Sequence, residues 1–206
     1  MAHPLHCGSA TVAMPPWKLG LHRATIAAMP HKSALLLIDM LASAFGDESL
    51  RNCDGAPVLP SAVRLLGRAR DAGALVVHVV EDFDEAKCPP GSPVWNAYQI
   101  HPAVAPQAGE PVVRQHRYDA FLDSDLHEIL DREGVETVVV AGIASPWCVD
   151  NAVRRAHSLG YRVILAKDAH GCTDGKTLPA ATIVQHHNEI LAACFAEVKP
   201  VDEIAF

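Results

Sequence analysis

From residue 33 onward, short unbroken apolar runs alternate with segments whose apolar positions recur every three or four residues. The first run, Ala34-Leu-Leu-Leu-Ile38, ends at Asp39. A run with no polar alternation suits a strand covered on both faces. Similar runs over 74–80, 111–114, 137–141, 162–166 and 196–199 predict five more strands. Residues 61–72 place apolar side chains at 62, 65, 66, 69 and 72, with Pro60-Ser61 before them and Gly73 after. That is helical spacing with start and stop signals. Helices are likewise predicted over 123–133, which puts Leu126, Ile129 and Leu130 inward, and over 148–159, which puts Val149, Ala152, Val153 and Ala156 on one face. A longer helix is predicted over 178–194. The stretch 81–109 holds five prolines and reads as loop.

Strands alternating with helices predict an α/β fold of three layers: a Rossmann-like parallel sheet of about six strands with helices on both faces. Residues 1–32, with their prolines and Trp17, read as an irregular arm or lead-in to a single domain over 33–206. Sheets of this kind bind ligands at the carboxyl ends of their strands, where the strand order reverses. In the order 3-2-1-4-5-6, strands one and four are neighbours at that reversal. Asp39, just past strand one, and Cys148, just past strand four, then face one crevice.

Composition narrows the function. Of 206 residues, 24 are Asp or Glu and 17 are Lys or Arg, a formal charge of −7. An acidic chain without a basic run is a poor fit to nucleic acid or an anionic membrane. No apolar stretch is long enough to span a bilayer, and the first residues lack the pattern of a secretory signal. The six cysteines include no Cys-x-x-Cys pair, so free thiols in a reducing cytoplasm are expected rather than disulfides or a zinc site.

Two residues stand out chemically. Cys148 follows Gly142-Ile-Ala-Ser-Pro-Trp147 and opens the predicted helix. Unpaired N–H groups and positive potential at a helix N-terminus lower a thiol pKa, and the thiolate is the nucleophile. The alternative is a small, inert, buried cysteine. Asp39 is either a general acid or base or the cap of a turn.

These residues carry a resemblance. Ala34-Leu-Leu-Leu-Ile-Asp-Met40, the stretch from Ile100 to Phe121 and Gly142-Ile-Ala-Ser-Pro-Trp-Cys-Val149 with Asp168-Ala-His170 resemble, in order, three segments of the isochorismatase-like cysteine hydrolases. That family includes nicotinamidases, carbamoylsarcosine amidases and ureido amide hydrolases. The resemblance implies that Cys148 attacks a carbonyl carbon and that Asp39 moves the proton. It also implies that the N–H groups of Ala144 and Cys148 hold the oxyanion beside a cis peptide between Ile143 and Ala144. The substrate would be a small amide, ureide or carbamoyl compound, with no cofactor. A homo-oligomer, dimer or tetramer, is implied by the same analogy.

The chain departs from the family at Gln115, where a lysine is usual. Glutamine donates a hydrogen bond but carries no charge, so losing the cation should raise both the Asp39 and the Cys148 pKa. Arg117 lies on the same side of an extended segment as Gln115 and is expected to compensate. The alternatives are a small-molecule-binding relative, an inactivated variant, or isochorismate-type vinyl ether hydrolysis, against which Cys148 argues. The position after strand two, where nicotinamidase-type relatives bind metal, reads Val80-Glu-Asp-Phe-Asp-Glu85 without histidine, so no metal is expected. Phe45, Tyr98, Arg117, Trp147 and His170 are candidates to line a substrate pocket, and His78 reads as a satisfied core residue.

Overall fold

Strand β1 (Ser33–Ile38) is buried on both sides. Leu35 and Leu37 enter one apolar core, while Ala34, Leu36 and Ile38 enter the other. This is the physical reason the run shows no polar alternation. The computed structural model describes residues 32–45, 58–82 and 88–206; the arm expected over 1–32 lies, save Lys32, outside them.

The remaining strands are β2 (Leu75–Glu81), β3 (Val112–Gln115), β4 (Thr137–Ile143), β5 (Arg162–Gly171) and β6 (Glu197–Lys199). They form a six-stranded sheet in the order β3-β2-β1-β4-β5-β6 with every pairing parallel. Helix α2 (Val58–Asp71) covers one face through Ala62, Leu65, Leu66 and Ala69. Helices α4 (Leu126–Arg132) and α5 (Asp150–Ser158) cover the other through Leu126, Leu130, Ala152, Val153 and Ala156. Each fully buried Leu or Val side chain contributes about 1.5–3 kcal/mol. Short helix α1 (Ala42–Phe45) follows β1, and α6 (Ala180–Cys194) precedes β6.

The structure corrects several expected boundaries. The stretch read as loop over 81–109 contains helix α3 (Pro93–Ala97), started by Ser92, whose hydroxyl accepts from the Trp95 N–H. A 3₁₀ turn follows at Pro102–Val104. The helix expected from residue 123 begins at Leu126. The helix expected from residue 148 begins at Asp150, because Ser145–Val149 form a π-turn. Strand β5 extends to Gly171, well past residue 166, because the β4–β5 register shifts between Val140 and Gly142. After the shift, Gly142 pairs with His170 and Ile143 with Gly171.

Gly142 itself is dictated by its surroundings. Its φ is +130°, and a Cβ there would stand 2.0 Å from the Ile38 carbonyl oxygen. Only glycine lets β4 pass this close to the end of β1, where the candidate site lies.

Candidate active site

Asp39 leaves β1 in a left-handed conformation, φ +46°, while its N–H still donates to the Val79 carbonyl of β2 at 2.8 Å. Aspartate tolerates this region better than most residues. The turn lifts the carboxylate out of the strand at its carboxyl end, yet leaves it only 6 % exposed. Gln115 is the last residue of β3, two strands away, and pairs in register with Glu81 of β2. Its side chain is buried and donates from Nε2 to Asp39 Oδ2 at 2.5 Å. Cys148 sits in the π-turn after β4, also buried, and its thiol interacts with both the Asp39 carboxyl and the Gln115 amide. The peptide bond between Ile143 and Ala144 is cis. Sequence reading thus named three residues that the fold brings together from β1, β3 and the turn after β4.

The electrostatics follow from burial without a positive charge. Desolvation pushes the Asp39 carboxyl up to about 7; the Glu81 carboxylate pushes the same way, while bonds from Cys148, the Glu81 backbone and Gln115 hold it back. The Cys148 thiol is pushed well above its ordinary value, first by burial and then by the neighbouring Asp39. The thiolate-favouring helix N-terminus expected from the sequence is not what Cys148 occupies: it stands inside a π-turn, against an acid. Both groups move in the direction expected from the missing lysine, with burial as the largest cause. Asp39 Oδ1 and Gln115 Oε1 are buried with no hydrogen-bond partner among the described residues.

Arg117 does not take the place of the lysine. β3 ends at Gln115, so strand alternation stops before Arg117, which turns out with φ +51° and is exposed. It is not among the groups that set Asp39 or Cys148. It does line a pocket of about 600 Å³ together with Glu81, Gln115 and Tyr118. Tyr98 is close enough for its hydroxyl to be raised by Glu81 and Asp39, after burial. Trp147 is 52 % exposed and lies 6.5 Å, centroid to centroid, from the equally exposed Tyr118. Phe45 packs against the core and edge-on to His101 at 5.6 Å. No cluster of His, Cys, Asp or Glu suited to a metal ion occurs among the described residues.

Two features escaped the sequence. Glu81 ends β2 beside Gln115, half-buried, and acts on both Asp39 and Cys148; its place as the last strand residue was the available signal. His170, a candidate for the pocket, is buried behind the turn that carries Cys148 and lines a pocket with Lys167, Ala180 and Asn188. Its Nδ1 meets Ser145 Oγ at 2.8 Å and its Nε2 meets Asn188 Oδ1 at 3.0 Å. Asn188 donates from Nδ2 to the Lys167 carbonyl at 3.4 Å. This arrangement makes Nε2 the protonated nitrogen and leaves Nδ1 to accept from the Ser145 hydroxyl. The first residue of the turn that carries Cys148 is thereby tied to β5 and α6.

Comparison with known proteins places this arrangement. The family described as "Isochorismatase domain" matches residues 33–202. Streptothricin hydrolase of Streptomyces noursei is 40% identical over 149 residues, covering 72% of this chain and 51% of that protein. The chain therefore spans about half the length of that relative. Maleamate amidohydrolase of Pseudomonas putida is 31% identical over 162 residues, covering 68% of this chain and 72% of the relative. The crystal structure of an isochorismatase from Pseudomonas putida superposes with a TM-score of 0.75 at 30% identity, covering 84% of this chain and 90% of that one. With the parallel sheet, the residues at its carboxyl edge and these likenesses in agreement, the chain belongs to the isochorismatase family of hydrolases.

Proposed function

We propose that the protein hydrolyses the C–N bond of a small non-peptide amide, ureide or carbamoyl compound through a covalent thioester on Cys148. The observation that carries this reading is the contact of the Cys148 thiol with the Asp39 carboxylate, at the switch point of the sheet, in a water-poor setting. The names of two relatives, maleamate amidohydrolase and ureidoacrylate amidohydrolase, support the substrate class.

In the reaction, Cys148 Sγ forms a bond to the carbonyl carbon while its proton passes to Asp39. Asp39 returns that proton to the leaving nitrogen as the C–N bond breaks. Water then cleaves the thioester, its proton passing through Asp39 to the thiol, and the acid departs. The Ala144 and Cys148 N–H groups hold the oxyanion, each such donor being worth roughly 3–4 kcal/mol in the transition state. Asp39 titrating near 7 suits a group that must both accept and donate a proton at neutral pH.

A second reading is a binding protein that keeps the pocket without turnover. It is favoured by Gln115, which leaves the thiol without a neighbouring lysine. One experiment separates the two. The chain is incubated with maleamate and with ureidoacrylate, quenched in acid and weighed, and ammonia is measured in parallel. The hydrolase reading expects an acyl adduct on the Cys148 peptide and ammonia release, both absent in Cys148→Ala. Binding of either compound without adduct or release supports the second reading.

A further inference from the structure

We infer that this reaction centre takes a positively charged substrate, whose protonated nitrogen sits on Asp39 and Gln115 and supplies the cation the site lacks. The inference rests on the reading of Cys148 and Asp39 as the reacting pair, and it names the class of substrate that pair would accept.

Two buried acceptors point to such a group. Asp39 and Gln115 are 6 % and 2 % exposed, and one oxygen of each, Oδ1 and Oε1, is buried without a hydrogen-bond partner among the described residues. A buried acceptor left unpaired is costly, because it gives up its bonds to water without replacement. Two such atoms, on side chains already bonded to each other, call for one group with at least two N–H bonds. A lysine at position 115 could only donate. A glutamine turned so that Nε2 faces Asp39 presents an acceptor instead. The substitution therefore changes what the site can bind as well as its charge.

The surrounding charge selects a cation over a neutral amide. Glu81 is half-buried, acts on both Asp39 and Cys148, and has no ion-pair partner among the described residues. It lines the adjoining pocket with Asp82, Gln115, Arg117, Tyr118 and Asp123. Asp82 is answered by Arg114 at 4.0 Å and by His116 at 3.4 Å. Three acids thus face the pocket against the exposed Arg117, and Glu81 and Asp123 have no ion-pair partner among the described residues. Tyr118 in the pocket wall and Trp147 beside it offer exposed aromatic faces, surfaces that attract cations.

A bound cation would do for the pair what a lysine does: favour the ionised forms of Asp39 and Cys148. The centre would then be weakly reactive when empty and armed when its own substrate arrives.

The test uses two small amides of the same size and shape. Glycinamide carries an amine that is mostly protonated at pH 7, whereas propionamide puts a methyl group in its place. Each is titrated into the full chain carrying Cys148→Ala at constant ionic strength, and the dissociation constant is read by isothermal titration calorimetry. Glycinamide is expected to bind about ten-fold more tightly than propionamide. That advantage should shrink several-fold when Glu81→Gln is added and vanish or reverse when Gln115→Lys is added, where the protein brings its own cation. Equal affinity for the two amides, binding of neither, or a full advantage surviving in both variants would overturn the inference. No thioester can form without the thiol, so the outcome is independent of the proposed reaction.

Discussion

Two shielded carboxylates among the described residues, Glu110 and Asp39, are held in opposite ways. Beneath the loop after the 3₁₀ turn, Glu110 accepts a two-pronged pair from Arg70, at 2.8 Å to each oxygen, and meets His78 Nε2 at 3.0 Å. The Arg70 guanidinium, ahead of the Gln107 N–H and His78, holds its pKa down at about 2. At the end of β1, Asp39 meets a neutral glutamine and a thiol, and burial raises it to about 7. Glu110 stands just before the amino end of β3, and Asp39 just past the carboxyl end of β1. The difference is the partner: a cation makes a buried acid a fixed structural charge, while an uncharged donor leaves it able to exchange its proton near neutrality.

Asp39→Asn bears on the comparison with the largest expected effect. The unfolded carboxyl titrates at 3.8 and the folded one near 7. Folding is favoured while Asp39 is protonated, and that contribution fades as pH rises from about 4 to 7. The shift corresponds to up to about 4 kcal/mol. Urea unfolding at pH 4, 5 and 8 should show Asp39→Asn with little effect at pH 4, a modest stabilisation at pH 5 and the largest at pH 8. Destabilisation at all three would mean that Asp39 is paired as firmly as Glu110.

Arg70→Leu takes the cation from the other acid. Glu110 would be left beside His78 without its main partner, at a cost of about 1–3 kcal/mol, read as a lower urea midpoint with unchanged slope. The alkylation rate of Cys148 should be unchanged, since this cluster does not touch Asp39, Gln115 or Cys148.

His170→Gln has the smallest effect. It removes the tie between Ser145 and Asn188, at about 0.5–1.5 kcal/mol near pH 8. Burial holds the His170 pKa below 6.5, so the unfolded chain binds the proton first and acid weakens the fold as pH falls through 6.5. His170→Gln should lose that acid dependence. If its stability against pH runs parallel to the native curve, His170 does not titrate with folding.

Much of this was legible in the sequence. The unbroken runs at 34–38 and 137–141 marked strands buried on both faces, and their ends put Asp39 and Cys148 at one crevice. The missing lysine was visible as Gln115, and with it the direction of the pKa shifts. Reach and local geometry were not. Arg117 looked available only while the strand was extended in thought past Gln115; two consecutive left-handed residues, Arg117 and Tyr118, end it. The π-turn at Ser145–Val149 has no periodic signature to separate it from a helix start. The place of His170 inside β5, opposite Gly142, follows from a register shift that only pairing with β4 reveals. Glu81 was passed over because an acid next to Asp82 and Asp84 reads as part of a solvated turn.

Whether Cys148 and Asp39 act as a reacting pair that Gln115 leaves without a cation is read from the rate of Cys148 alkylation against pH, followed by mass spectrometry of the Cys148 peptide, in the native chain and in Gln115→Lys. Alkylation of the native chain should be slow at neutral pH and rise about ten-fold or more in Gln115→Lys. Fast alkylation of the native chain at pH 7, unchanged by Gln115→Lys, would contradict that pairing.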